Sequence, residues 1–70
     1  MLKPEKAKNV VKIMGNLGFE IKRQTGSHII MRKDSNIVVI PFHGSKDIPI
    51  PTLKSIIKQA GITEKIFLES

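Results

Sequence analysis

Seventy residues, 40% of them hydrophobic and 26% charged, make one small domain with too few apolar side chains for two cores, and they argue against intrinsic disorder. The chain contains no cysteine, which excludes disulfide staples, a thiolate zinc site and a thiol nucleophile together. Twelve Lys and Arg against six Asp and Glu give a net charge of +6, and the excess sits in residues 1–33, with eight basic and two acidic side chains, whereas residues 34–70 carry four of each; such a surface fits a polyanion, and a generic basic exterior would look the same.

The basic start, MLKPEKAKN, leads into no long apolar stretch, so no signal peptide is expected. Pro4 to Leu17 reads as a helix: Ala7, Val10, Val11, Met14 and Leu17 recur at helical spacing, with Glu5, Lys8, Lys12 and Asn16 on the opposite face. Pro4 suits a first helical turn, Gly15 weakens the last turn slightly, and Gly18 can adopt the left-handed conformation that stops the helix.

Three short strands follow. Phe19 to Gln24 alternates, with Phe19 and Ile21 expected inward and Glu20, Lys22 and Gln24 outward. The same alternation makes Arg23 an inward residue at the strand end, from where its long side chain can reach solvent. Thr25-Gly26-Ser27 is a turn, His28 to Lys33 the second strand, and Asp34-Ser35-Asn36 a second turn. Ile37 to Phe42 is the third strand, rich in β-branched residues, and Pro41 should end it or hold it at an edge. That run is also the longest unbroken apolar stretch, six residues against the roughly 20 of a membrane-spanning helix. A soluble, cytoplasmic protein with no membrane partner is expected.

His43 to Pro49 reads as a polar loop. A second helix starts near Pro51 and runs to Ala60, with Leu53, Ile56, Ile57 and Ala60 on one face and Gly61 at the C-cap position. Thr63 suits the N-cap of a last short turn carrying Ile66, Phe67 and Leu68. The order is helix, three antiparallel strands, helix, with a short helical tail: an α+β fold in which both long helices lie on one face of the sheet and leave the other face open.

In the second strand, His28, Ile30 and Arg32 share one face and Ile29, Met31 and Lys33 the other. Ile29 with Met31 is the more apolar pair and belongs to the core, which puts His28 and Arg32 on the open face. An exposed histidine just after a Gly-Ser turn, with Lys22, Arg23, Arg32 and Lys33 nearby, has a chemical reading. RNA is cleaved without metal when a base removes the 2′-hydroxyl proton and an acid protonates the leaving oxygen, and histidine suits either step near neutral pH. Neighbouring cations hold the phosphate and stabilise its developing charge. His28 with His43 makes no persuasive metal site, because Asp34 and Asp47 occupy ordinary turn positions. No Gly-rich phosphate loop, paired carboxylates or Ser–His–Asp arrangement can be read from the chain.

Gly26-Ser27-His28, the segment Val39-Ile40-Pro41-Phe42-His43-Gly44 and the run Thr52-Leu53-Lys54-Ser55-Ile56-Ile57-Lys58-Gln59-Ala60-Gly61 together resemble the HicA family of toxins. The resemblance extends from the first helix to Ile62. It implies a double-stranded-RNA-binding-domain-like fold and the activity of a ribosome-independent mRNA interferase of a type II toxin–antitoxin system. It further implies His28 as the catalytic residue, no cofactor, no metal, and inhibition by a HicB-type antitoxin that covers the site. Around His28 the expected RNA-binding residues are Lys22, Arg23, Ser27, Arg32 and Lys33, the substrate is single-stranded mRNA, and the free protein is expected to be a monomer or weak dimer. One departure from the family pattern is Pro51, where Gly commonly precedes Thr-Leu; proline is compatible with a first helical turn. Two other functions fit the same residues: a non-catalytic RNA-binding module, for which Pro51-Thr52-Leu53-Lys54 supplies only one of the lysines expected at the helix start, and an inactivated toxin that only binds its antitoxin.

Overall fold

Residues 1–43 and 46–70 are described by the computed structural model. The expected loop from His43 to Pro49 therefore lies partly outside the described residues. In chain order the elements are β1 (Glu5–Lys6), α1 (Ala7–Asn16), β2 (Glu20–Gln24), β3 (His28–Lys33), β4 (Asn36–Pro41), β5 (Asp47–Ile48), α2 (Ile50–Ala60) and α3 (Glu64–Leu68). The architecture is α+β, with a three-stranded antiparallel sheet in the order β2-β3-β4. Among the described residues no helix is long and apolar enough to cross a membrane.

α1 starts three residues later than its apolar spacing predicts. Glu5 and Lys6 instead pair antiparallel with Ile48 and Asp47, and Lys6 Nζ donates to Asp47 Oδ1 at 3.0 Å. Lys6 is extended, at φ −67° and ψ 142°. Helical spacing is a weak preference that a long-range pairing overrides, and here the pairing accompanies burial of Leu2 and Ile48. Asp47 and Ile48, expected as loop, are correspondingly strand.

Both helices stop at glycine, as their sequences indicate. Gly18 has φ +99° and Gly61 φ +71°. The N–H of Phe19 donates to Met14 O and that of Gly18 to Gly15 O; the N–H of Ile62 donates to Ile57 O and that of Gly61 to Lys58 O. Each pattern is a Schellman motif, which closes the carbonyls a helix end leaves open. Lys33 Nζ, from β3, donates to Leu17 O at 2.9 Å and places a cation at the α1 C-terminus, which has no basic residue of its own in its last turn. Thr63 Oγ1 accepts from the Ile66 N–H at 3.1 Å and caps α3, whose Phe67 is buried.

The core forms between the helices and one face of the sheet. Ala7, Val10 and Met14 of α1 and Leu53, Ile56, Ile57 and Ala60 of α2 meet Ile29 and Met31 of β3 and Val38 and Ile40 of β4. Val11 and Leu17 pack at its margin. The expected parity of the second strand therefore holds: Ile29 and Met31 are buried while His28 and Arg32 are exposed.

The first strand departs from simple alternation. Phe19 is buried just ahead of β2, but Ile21 is 50% exposed. β2 is an edge strand, α1 and α2 pack chiefly over β4, and Ile21 lies beyond their cover. Opposite β3 the register shifts between Ile21, which faces Met31, and Arg23, which faces Ile30. The bulge leaves Lys22 over and turns Arg23 to the face that carries Ile30. Arg23 is thus a member of the open face by register, rather than an inward residue escaping at the strand end.

Candidate functional site

His28 is held where the turn feeds into the central strand. Thr25 closes that turn: its N–H donates to His28 O at 2.9 Å, and its Oγ1 accepts from the His28 N–H at 3.1 Å. Ser27 O accepts from the Phe42 N–H at 2.8 Å, so the backbone ahead of the histidine is tied to the end of β4. The ring itself is anchored at one nitrogen, with Ser27 Oγ 3.1 Å from Nδ1. Among the described residues nothing hydrogen-bonds Nε2. When Nδ1–H donates to the serine, Nε2 carries the lone pair that a general base needs.

His43 stands beside it. Asp34, at φ +55°, and Ser35 make a two-residue turn closed by Lys33↔Asn36, and this register carries back to His28↔Pro41. Side-chain alternation continued two residues past Pro41 turns His43 to the side of His28, as its diagonal neighbour. The two imidazole centroids are 6.1 Å apart with the ring planes at 74°, an edge-on contact between two exposed side chains. Reading His43 as the first residue of a polar loop misses this. The signal lies in the chain: Asp34-Ser35 as a two-residue turn makes pair positions sum to a constant, and that arithmetic puts His43 diagonal to His28.

The five residues expected to contact RNA do not form one cluster. Ser27 is at His28, and Arg23 shares the open face with Ile30 in the middle of the sheet. Arg32 and Lys33 are at the other end of β3, four or more residues from His28, or about 13 Å along a strand, and Lys22, the bulged residue of β2, lies between the positions opposite Met31 and Ile30. With Gly18, Glu20 and Asp34 they line a depression of about 460 Å³. Each also has a local partner: Lys22 Nζ pairs with Glu20 at 3.3 Å, Arg32 Nε donates to Asp34 O at 2.7 Å, and Lys33 Nζ caps α1. Between the two ends lies Val39, 40% exposed, beside half-buried Ile30, and Ile37, 51% exposed, stands opposite Arg32.

The open face therefore offers an imidazole pair at one end and an apolar strip with an arginine in the middle, and a cationic depression lies at the other end of the sheet, where Lys33 from the helix-facing side joins Arg32. Two imidazoles can move protons, and the cations can hold phosphates. Among the described residues no three His, Asp or Glu side chains converge as a metal would require.

A search of curated proteins returns no match for the chain. A family model described as the HicA toxin of bacterial toxin–antitoxin matches residues 7–62, from the first residue of α1 to just past the end of α2.

Proposed function

The chain belongs to the HicA toxin family of bacterial toxin–antitoxin systems, and from that premise we propose that it is an endoribonuclease that cuts single-stranded mRNA by metal-independent acid–base chemistry centred on His28. The observation that carries this reading is an exposed imidazole anchored through Nδ1 by Ser27 Oγ, with Nε2 directed to no protein partner among the described residues. An unanchored surface histidine would fit chemistry less well, because a general base must be oriented as well as available.

The reaction is a transesterification. His28 removes the proton of the 2′-hydroxyl, the 2′-oxygen bonds to phosphorus, and the bond from phosphorus to the 5′-oxygen breaks as that oxygen gains a proton. The products are a 2′,3′-cyclic phosphate and a 5′-hydroxyl end. Arg23, on the same face, stabilises the charge that builds on the phosphoryl oxygens. The requirement for a neighbouring 2′-hydroxyl restricts the substrate to RNA. Arg32, about 13 Å along β3 from His28, and Lys22 hold the strand beyond the cleaved bond. The partner is a HicB-type antitoxin that silences the toxin by covering this face, for which exposed Ile37 and Val39 supply apolar contact.

The test is incubation of single-stranded RNA, and of DNA of the same sequence, with the wild-type protein and with His28→Ala in excess EDTA. Wild type is expected to cut RNA alone. His28→Ala, with far-UV circular dichroism unchanged, is expected to be slower by on the order of 10²–10⁴-fold. Wild-type cleavage rates from a folded His28→Ala protein would overturn the mechanism. Cleavage by neither protein would leave a binding module or an inactivated toxin.

A further inference from the structure

We propose that His43 is a second catalytic residue, the general acid that protonates the leaving 5′-oxygen while His28 acts as base, so that the two imidazoles work as a pair on one phosphodiester. The inference rests on the ribonuclease reading above.

The chemistry asks for two proton transfers at nearly the same place. One proton leaves the 2′-oxygen and another reaches the 5′-oxygen, both attached to the same phosphorus in the transition state. A single imidazole can perform one of these in a step, and a second titratable group performs the other. Histidine is the side chain suited to donate near neutral pH, and His43 is the other histidine of the chain. An ordinary ammonium or guanidinium holds its proton too tightly to serve as the donor near neutral pH.

Geometry selects His43 independently of that argument. Its ring centroid is 6.1 Å from that of His28 and the planes meet at 74°. Catalytic hydrogen bonds run about 2.6–3.2 Å between heavy atoms, so a phosphodiester reached by one ring lies within reach of the other. Both side chains are exposed, and substrate can enter without rearrangement of the core. The backbone on either side of His43 is held: Phe42 N–H donates to Ser27 O, and His43 O accepts from the Lys46 N–H at 3.2 Å.

Ser27 divides the labour between the rings. Its Oγ, 3.1 Å from His28 Nδ1, accepts from Nδ1–H when Nε2 is the bare nitrogen, which is the form of a base. Among the described residues His43 has no side-chain hydrogen bond, so its ring is at liberty to carry the donated proton. After the step His28 holds the proton taken from the 2′-oxygen, and His43 has passed its own to the 5′-oxygen. The starting forms return by exchange with water, and no electrons change hands.

The decisive experiment measures single-turnover cleavage of two RNAs by wild type, His28→Ala, His43→Ala and His43→Gln. One RNA has an ordinary phosphodiester, and the other has sulfur in place of the 5′-oxygen at the cleaved bond. A thiolate departs without protonation, so the sulfur substrate has no use for a general acid. On the ordinary RNA both His43 variants are expected to lose about 10²-fold or more. On the sulfur RNA they are expected to recover to near the wild-type rate, while His28→Ala stays slow on both. The glutamine variant keeps a polar side chain of similar reach, so loss of fold cannot imitate the pattern. Wild-type rates from the His43 variants on ordinary RNA would overturn the proposal, and so would equal losses on the two substrates, which mark a structural role. A wild-type protein that cuts neither RNA would overturn the ribonuclease reading and this inference with it, a result told apart by the absence of any difference among the four proteins.

Discussion

At the scale of single residues, one hydroxyl connects sequence to chemistry. Ser27 is the last residue of a turn; its backbone carbonyl fastens β3 to β4, and its Oγ stands against His28 Nδ1. Removing that hydroxyl leaves the backbone bond in place and frees the ring to rotate. A neutral hydrogen bond contributes about 0.5–1.5 kcal/mol net, so Ser27→Ala is expected to lower the cleavage rate by up to roughly tenfold while RNA affinity and thermal stability stay close to wild type. Rate and affinity falling together would place Ser27 on the substrate instead. Arginine and lysine show how little residue type says about availability. Lys33 was expected to meet RNA, yet its ammonium closes the α1 C-terminus at Leu17 O, and Arg32 Nε is taken up by the Asp34 carbonyl.

At the scale of elements, two glycines of the helices predict opposite responses to the same substitution. Gly15 lies inside α1, where an added Cβ meets nothing within 4 Å. Gly15→Ala is expected to stabilise the protein by about 0.5–1 kcal/mol, because alanine loses less backbone entropy in a helix. Gly61 stands at φ +71°, and a Cβ there would lie 2.8 Å from Asn36 Nδ2, which itself donates to Gln59 O. Gly61→Ala is expected to cost about 1–2 kcal/mol for the left-handed backbone alone, or roughly 4 °C or more in Tm for a domain of this size. A thermal melt of the two variants beside wild type checks both signs. The same neighbourhood protects the sheet: the exposed N–H of Val39, on edge strand β4, donates to Gln59 Oε1 at 3.0 Å, and a satisfied edge is less open to pairing with another chain.

At the scale of the whole molecule, the uneven charge of the chain does not become one basic face. Lys8 and Lys12 are exposed on α1, whose other side packs on the sheet through Val10 and Met14, so they look away from the open face. Lys22, Arg23, Arg32 and Lys33 are the cations that β2 and β3 bring near it. RNA affinity should therefore respond to few phosphate contacts. Each contact on a single strand contributes a slope of about −0.7 in log K against log salt, and Arg23→Ala is expected to reduce the slope by about that amount, measured by fluorescence titration of a labelled RNA with the His28→Ala protein. An affinity that does not change between low and physiological salt would remove RNA from this face.

Much of the fold is legible in the sequence because it depends on neighbours in the chain. Apolar residues at helical spacing define the buried faces of α1 and α2, Gly18 and Gly61 stop them, Thr63 starts α3, and the greater apolar bulk of Ile29 and Met31 decides which way β3 faces and so exposes His28. Tertiary structure alone decided the remainder. Glu5 and Lys6 left the helix to pair with Ile48 and Asp47, about forty residues away. A bulge in β2 carried Arg23 to the open face and left Ile21 outside the helices' cover. Periodicity records which side of its own element a residue occupies, because that side is set by backbone geometry within a few residues. Which distant residue it then meets depends on pairing register and on where the helices end over the sheet, and those are set by contacts between segments that no local pattern contains.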